Sequence, residues 1–466
     1  MNEDKALVGL QRQIYRETRH CHRPLPQILP WLVDRRNLDG AWKRVCDASG
    51  AKTPGPDGLT TCDLTRRKDR WLTELAAQLY KGRYRPSPPR WVEVPKEHGP
   101  GTRQLGILNV ADRVVQAALK QVLEPILEPG FSPDSFGFRP GRSVPAALDV
   151  AVQALNGTPS QPAPFPYLVK LDVADCFGTI NHQVLKTRLR EHIGDEQALL
   201  LLDHIIQACI VRQPTFWRPA AGVVQGGSLS PLLCNLYLDP LDHELRRLSI
   251  QTANGIRAFR YADDLLLLAR DRGLARRALS AARQTLSKLR QRMRRDKTSV
   301  VPAEVGVRWL GVEFAPIESA SGHRYAYYVP RDKMPRMLAR ISEMTVLPST
   351  RINPSAFDLG EWLESINEQL RDWRYSYLFA ENARDVFREV DRHAFDRVGE
   401  LLHGITGLRR RNLHRTYLKR LPRGFRTWQV QGRQLVVLSS LAPRAPFRLL
   451  HAPCWMQQPR RQPLAN

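Results

Sequence analysis

Residues Phe259 to Arg270 read FRYADDLLLLAR, with two adjacent carboxylates, Asp263 and Asp264, at the mouth of four leucines and an alanine. Leu265 to Leu268 form a run too short for a buried helix and uniformly apolar, as expected of a strand covered on both faces. Phe259, Arg260 and Tyr261 can pair back against it, which puts Ala262 to Asp264 in a tight turn. Standing alone, the two acids would also suit an exposed hairpin tip. Fixed side by side, however, they repel one another, and they stay ionised at low cost only with a cation between them and a third acid. Asp172 ends the short apolar strand YLVKLD (Tyr167–Asp172) and supplies that acid if the sheet brings the two elements together. Hard oxygen ligands of this kind suit magnesium, which keeps several waters and completes its shell with substrate phosphates. Two such ions clamp the attacking and leaving oxygens of an in-line phosphoryl transfer. The residues therefore point to a nucleotidyl-transfer centre.

The charge balance agrees. The 466 residues carry 71 Lys and Arg against 46 Asp and Glu, a net charge of +25. Such an excess calls for a polyanionic partner, nucleic acid or an anionic membrane. No apolar run approaches the roughly 20 residues that span a bilayer, and the start, MNEDKALVGL, lacks a signal-peptide pattern. Nucleic acid is the expected partner, with no membrane and a cytoplasmic, RNA- or nucleoid-associated location. The 7 cysteines are scattered without a CxxC pair, so reduced thiols are expected instead of a disulfide framework or zinc ribbon. His20, Cys21 and His22 lack a second ligand pair and are not read as a metal site.

Outward from the hairpin, the sequence predicts helices over residues 66–80, 110–127, 181–209 and 274–295, the last amphipathic with seven arginines. Ser230 and Pro231 suit the N-cap and first position of a further helix. Trp91 to Val94 and Trp309 to Phe314 read as strands. Beyond about residue 330 the chain reads as helical and then irregular, and residues 401–466 hold 13 Lys or Arg and no acid.

Several blocks then carry a family resemblance. Asp172 with Phe177, VQGGSLSP (Val224–Pro231), YADD (Tyr261–Asp264), Asp296-Lys297-Thr298 and Trp309-Leu310-Gly311 resemble the ordered motifs of a reverse transcriptase. PGPDG (Pro54–Gly58), VPKEHGPGTRQLGILNVADRVVQ and SFGFRPGRS (Ser135–Ser143) resemble its group II intron branch. The resemblance runs from about residue 50 to 430. It implies an α+β fold: a right-hand polymerase whose fingers and palm, an antiparallel sheet flanked by helices, precede an α-helical thumb or maturase domain. The expected divisions are a helical extension at 1–50, fingers at 51–165, palm at 166–316, thumb at 328–430 and a basic tail at 431–466. Fingers and palm together make a reverse transcriptase domain over 51–316.

By the same resemblance Asp172, Asp263 and Asp264 hold two Mg2+ ions, with Mn2+ as a substitute, and the carbonyl of Val173 adds a ligand. Lys96 and Arg103 match the residues that grip the incoming triphosphate, a task that suits an ammonium and a guanidinium fork. Phe177 matches the bulky residue that rejects a 2′-hydroxyl. Gln225 and Gly226 line the nucleotide pocket, and Lys297 lies near phosphate. Arg139, Arg142, Arg371, Arg374, Arg409, Arg410 and Arg411 are the candidate nucleic-acid contacts. Trp362 and Trp373 are expected in a helical core, their neighbouring arginines facing RNA. Two departures stand out: DVADCFG places Asp175 and Gly178 where the family usually has a basic or polar residue and an acid, and PGPDG lacks the usual aliphatic. Neither removes a ligand.

The implied partners are an RNA template, a DNA or RNA primer, deoxynucleotides and structured intron RNA. The implied function is RNA-directed DNA polymerisation with assistance to intron splicing. A free-standing enzyme of host DNA repair or phage defence would share all the polymerase motifs. A non-catalytic splicing factor would have no need of the three acids.

Overall fold

The computed structural model describes residues 2–20, 24–95, 101–158, 160–162, 164–207, 210–212, 215–217, 220–319, 322–346, 358–440 and 455–456. The chain divides into two compact units, residues 1–143, 169–299 and 450–466 in one, and 144–168 with 300–449 in the other.

The first unit is built round the helix Val110–Leu127, which is buried along nearly its whole length. Helices Asn2–His20 and Arg35–Asp47 pack on it. A buried amide network joins all three: Gln11 Nε2 donates to the carbonyl of Gln121 at 3.0 Å, and Gln121 Nε2 to Asn37 Oδ1 at 2.7 Å. The same central helix anchors the PGPDG turn. Arg113 donates to the carbonyls of Gly50 (2.8 Å) and Thr53 (2.6 Å), and Asn109 Oδ1 accepts from the Asp57 N–H at 3.1 Å. Blocks distant in sequence are thus one packed piece.

The predicted strand at Trp91–Val94 is present as Arg90–Pro95, antiparallel to Thr102–Ile107. The helix expected over 66–80 is two: Thr61–Thr65, opened by a capping box of Thr60 and Asp63, and Lys68–Tyr80. The region 181–209 likewise divides into His182–Arg190, which ends at Glu191, and Glu196–Ile206, which Asp195 caps by accepting from Ala198 N. Ser230 is not an N-cap. It lies inside the helix Ser230–Gln251, after Leu229, and its hydroxyl donates to the carbonyl of Val224 at 2.7 Å. The basic helix is shorter than predicted, Arg272–Lys288, with Asp271 as its cap. The chain after it runs extended beside the first acid: Ala174 N–H donates to the Arg292 carbonyl and Arg294 N–H to the Asp172 carbonyl, both at 2.8 Å.

The strand Tyr167–Asp172 lies beside Asp264–Ala269, which pairs antiparallel with Ile256–Tyr261. Leu265 to Leu268 are all 0% exposed, as a strand covered on both faces requires.

In the second unit the expected strand Trp309–Phe314 is instead a hairpin, Val307–Trp309 and Val312–Ser319, turning at Leu310 and Gly311, both at positive φ. A third antiparallel strand, Gly322–Tyr328, completes the sheet. The helices Lys333–Met344, Leu359–Tyr377 and Ala383–Thr406 follow. Trp373, expected in the core, is half-buried and packs against Tyr377 (centroids 5.1 Å) and Phe387 (5.7 Å). Trp362 is half-buried and donates through its indole N–H to the carbonyl of Met344 at 2.8 Å. No helix among the described residues is long and apolar enough to cross a membrane.

Candidate active site

The register of the hairpin fixes the acids. Tyr261 pairs with Asp264, so the turn is narrower than expected, only Ala262 and Asp263. Ala262 adopts φ +56°, a left-handed conformation that strains a residue with a Cβ. The turn keeps it because its surroundings leave no alternative. Gly137 presses on it so closely that a Cβ there would stand 2.4 Å from Ala262 N. Arg260 holds it from beneath, donating through Nη1 to the Ala262 carbonyl at 2.9 Å.

Arg260 is 1% exposed, and its guanidinium is fully engaged. It also donates to Asp242 (2.6 to 3.0 Å), Asn235 Oδ1 (3.0 Å) and Ser135 Oγ (2.8 Å). Asn235 Nδ2 in turn donates to the Gly137 carbonyl at 2.8 Å. One side chain thereby ties the Ala262–Asp263 turn to the helix Ser230–Gln251 and to the SFGFRPGRS block. The sequence reading missed Arg260, Asp242 and Asn235. Their signal was a charge inside the apolar hairpin and polar residues in the largely apolar first half of that helix.

The first acid reaches the turn through the backbone: Val173 N–H donates to the Asp263 carbonyl at 3.0 Å. Burial raises the Asp263 carboxyl above its ordinary range, with the Asp172 charge adding to the effect. Burial, opposed by the attraction of Lys170 and helped by the charges of Asp172 and Asp263, lifts Asp264 to about 7. Asp264 Oδ1 is buried with no hydrogen-bond partner among the described residues. A positive charge faces the first acid, since Lys297 Nζ lies 3.3 Å from Asp172 Oδ2 and Arg294 Nε 3.8 Å from Oδ1. As they stand, no three His, Cys, Asp or Glu among the described residues are gathered tightly enough to enclose an ion. The donor set nonetheless fits a divalent cation. It is all hard oxygen, one oxygen is orphaned in the interior, and the acids repel one another until a cation joins them.

The glycine-rich loop completes the surroundings. Gly226 takes φ +108°, and a Cβ on it would stand 2.9 Å from the Gly106 carbonyl oxygen, so the loop can lie flat on the Thr102–Ile107 strand. Gly106 N–H donates to the Gln225 carbonyl at 2.7 Å, and Val223 N–H to that of Phe177 at 2.9 Å. Phe177 itself is half-buried, and Arg103 is exposed on its strand. Lys96 lies outside the described residues.

The arginine predictions divide. Arg139 is 6% exposed and bound to Glu128 (2.8 to 3.0 Å) and the carbonyls of Ser132 and Ser135. Its side chain is spent inside the fold and is not offered to nucleic acid, a correction that only the hidden partner Glu128 could supply. Arg142 donates to the Pro133 carbonyl and lies over Phe136 at 5.4 Å, and burial lowers its guanidinium to about 10. Arg371 is exposed but paired with Glu364 at 2.5 Å, Arg374 is half-buried, and Arg409, Arg410 and Arg411 are exposed.

A buried strand ending in one acid, beside a hairpin that presents two more, is the arrangement of a polymerase palm. The comparisons give the family. The profile described as "Reverse transcriptase (RNA-dependent DNA polymerase)" matches residues 94–314. Protein YkfC of Escherichia coli (strain K12) is 30% identical over 344 residues, 67% of this chain and 88% of that protein. The group II intron-encoded protein LtrA of Lactococcus lactis subsp. cremoris is 30% identical over 211 residues, 45% of this chain and 34% of LtrA. A protein of COX1/OXI3 intron 2 from Saccharomyces cerevisiae is 31% identical over 220 residues, 47% of this chain and 24% of its own length. The chain belongs to the reverse transcriptase family, in its group II intron branch, with that family's α+β right-hand fold and RNA-directed DNA polymerase activity. Reverse transcriptases use divalent metal ions such as Mg2+.

Proposed function

We propose that this enzyme extends a DNA or RNA primer on an RNA template by two-metal nucleotidyl transfer, and that it also binds intron RNA to assist splicing. Residues 51–316 serve as fingers and palm and 328–430 as thumb. The observation that carries the reading is the junction of Asp172 and the Asp263–Asp264 turn through the 3.0 Å bond from Val173 to Asp263, with Asp264 Oδ1 buried and unpartnered. Asp172, Asp263, Asp264 and the Val173 carbonyl would hold two magnesium ions, which when bound supply charge neutralisation for the attacking and leaving oxygens.

The remaining work falls to the chain. Arg103, exposed on the fingers strand, offers a guanidinium to the triphosphate, joined by Lys96. Phe177 lies under the sugar and excludes a 2′-hydroxyl, while Gln225 and Gly226 hold a flat backbone against the nucleotide. Lys297 trades Asp172 for a substrate phosphate once the acids are neutralised. The acids are half-buried, and the reduced polarity around them strengthens each charge interaction at the site. Arg409, Arg410 and Arg411, exposed and without an ion pair among the described residues, favour RNA contact by the second unit.

Primer extension on an RNA template tests the polymerase. Replacing Asp263 and Asp264 by Asn should abolish it, and retained extension would refute the metal assignment. Splicing of intron RNA by the same double variant separates the two activities. Intron RNA domains flanking the reading frame support the splicing role; their absence supports a free-standing enzyme of DNA repair or phage defence.

A further inference from the structure

Phe138 combines three properties that a core aromatic does not need. Its φ is +58°, a region that bulky side chains enter only under constraint. The residue is 46% exposed. It meets the Phe177 ring edge to face, with centroids 6.3 Å apart and planes at 79°, and Tyr261 at 6.4 Å and 47°. Phe136, two residues earlier, shows the contrast: it is 1% exposed and fills the interior.

The neighbours of Phe138 account for its strained backbone. Gly137 is pressed on the Ala262 turn and held through its carbonyl by Asn235, while Arg139 is locked to Glu128. Between these two fixed points the chain delivers one ring to the wall of the nucleotide pocket. Strain held in place by over-determined surroundings is the usual mark of a functional position.

We propose that Phe138 is a positioning residue for sugar selection: its ring buttresses Phe177, so that Phe177 cannot swing away from the 2′ side of the incoming nucleotide. The inference rests on the reading of Phe177 as the residue that excludes the 2′-hydroxyl.

The test is single-nucleotide incorporation on an RNA template, comparing kcat/KM for a deoxynucleotide with that for the matching ribonucleotide. Phe177→Ala serves as the control and should remove most discrimination. Phe138→Gly should lower the discrimination ratio about three- to tenfold, the weight of one edge-to-face aromatic contact, chiefly through better use of the ribonucleotide. Its thermal midpoint should not fall, because glycine accepts φ +58° without strain. Phe138→Tyr should keep the wild-type ratio. Wild-type discrimination in Phe138→Gly, alongside its loss in Phe177→Ala, would overturn the proposal and leave the role of Phe177 standing. Discrimination retained by Phe177→Ala would overturn that role, and this inference with it. An equal loss for both nucleotides with a lower midpoint would make Phe138 a structural support and refute the proposal.

Discussion

Arg260 and Asp264 are near neighbours in the chain, the first buried and the second half-buried with its Oδ1 enclosed, and their charges are treated in opposite ways. Arg260 is paired with Asp242 and spends its remaining donors on Asn235, Ser135 and the Ala262 carbonyl. Asp264 keeps an oxygen without a partner, and burial with like charges lifts its carboxyl to about 7. A buried ion that is fully bonded serves architecture, whereas a buried acid left short of partners is a place where something else must bind. The first makes the second tolerable, because the Arg260 cluster pins the turn that holds the acids in their unfavourable position.

Breaking each side of this pair should give opposite phenotypes. Asp263→Asn with Asp264→Asn removes several kcal/mol of transition-state stabilisation, so primer extension should fall by ~10^3-fold or more. The metal-free protein should be no less stable, since the change also removes repulsion. Urea unfolding checks this, and a large loss of stability would place the acids in the architecture. Asp242→Asn should do the reverse, stranding the buried Arg260 charge and costing about 3–5 kcal/mol of unfolding free energy.

Asp112 stands between the two cases. It accepts from the Tyr84 hydroxyl and the Ser87 N–H, yet burial raises it to about 6. The folded protein therefore holds this proton more tightly than the unfolded chain. The stability it contributes is full below about pH 4 and is lost as pH rises through about 6, by up to about 3 kcal/mol. Unfolding of wild type and Asp112→Asn at several pH values checks this, because the wild type should lose stability relative to the variant as pH rises over that window. The smallest effect belongs to the surface. Replacing Arg409, Arg410 and Arg411 by Ala should lower the salt dependence of RNA binding by up to about 2 in log–log slope, about 0.7 for each lost contact to single-stranded RNA, with unfolding unchanged.

The sequence disclosed the site better than it disclosed the site's support. Uninterrupted apolar runs fixed the strand Tyr167–Asp172 and the hairpin, and acids at their ends marked the candidate site. Boundaries slipped where tertiary packing decided them. Gly137 against Ala262 narrowed the turn, and Leu310-Gly311 folded one expected strand into a hairpin. Arg139 was misread because an arginine in a basic, glycine-containing block looks the same in sequence whether it meets phosphate or a buried Glu128. Arg260 was passed over for the converse reason, since its partner Asp242 lies on another element.

Binding of Mn2+ followed by electron paramagnetic resonance tests the central claim most directly, with the enzyme on an RNA template, a dideoxy-terminated primer and the next deoxynucleotide. Wild type should hold protein-bound Mn2+ that is lost when Asp172, Asp263 and Asp264 are all changed to Asn. Undiminished Mn2+ in the triple variant would contradict the account.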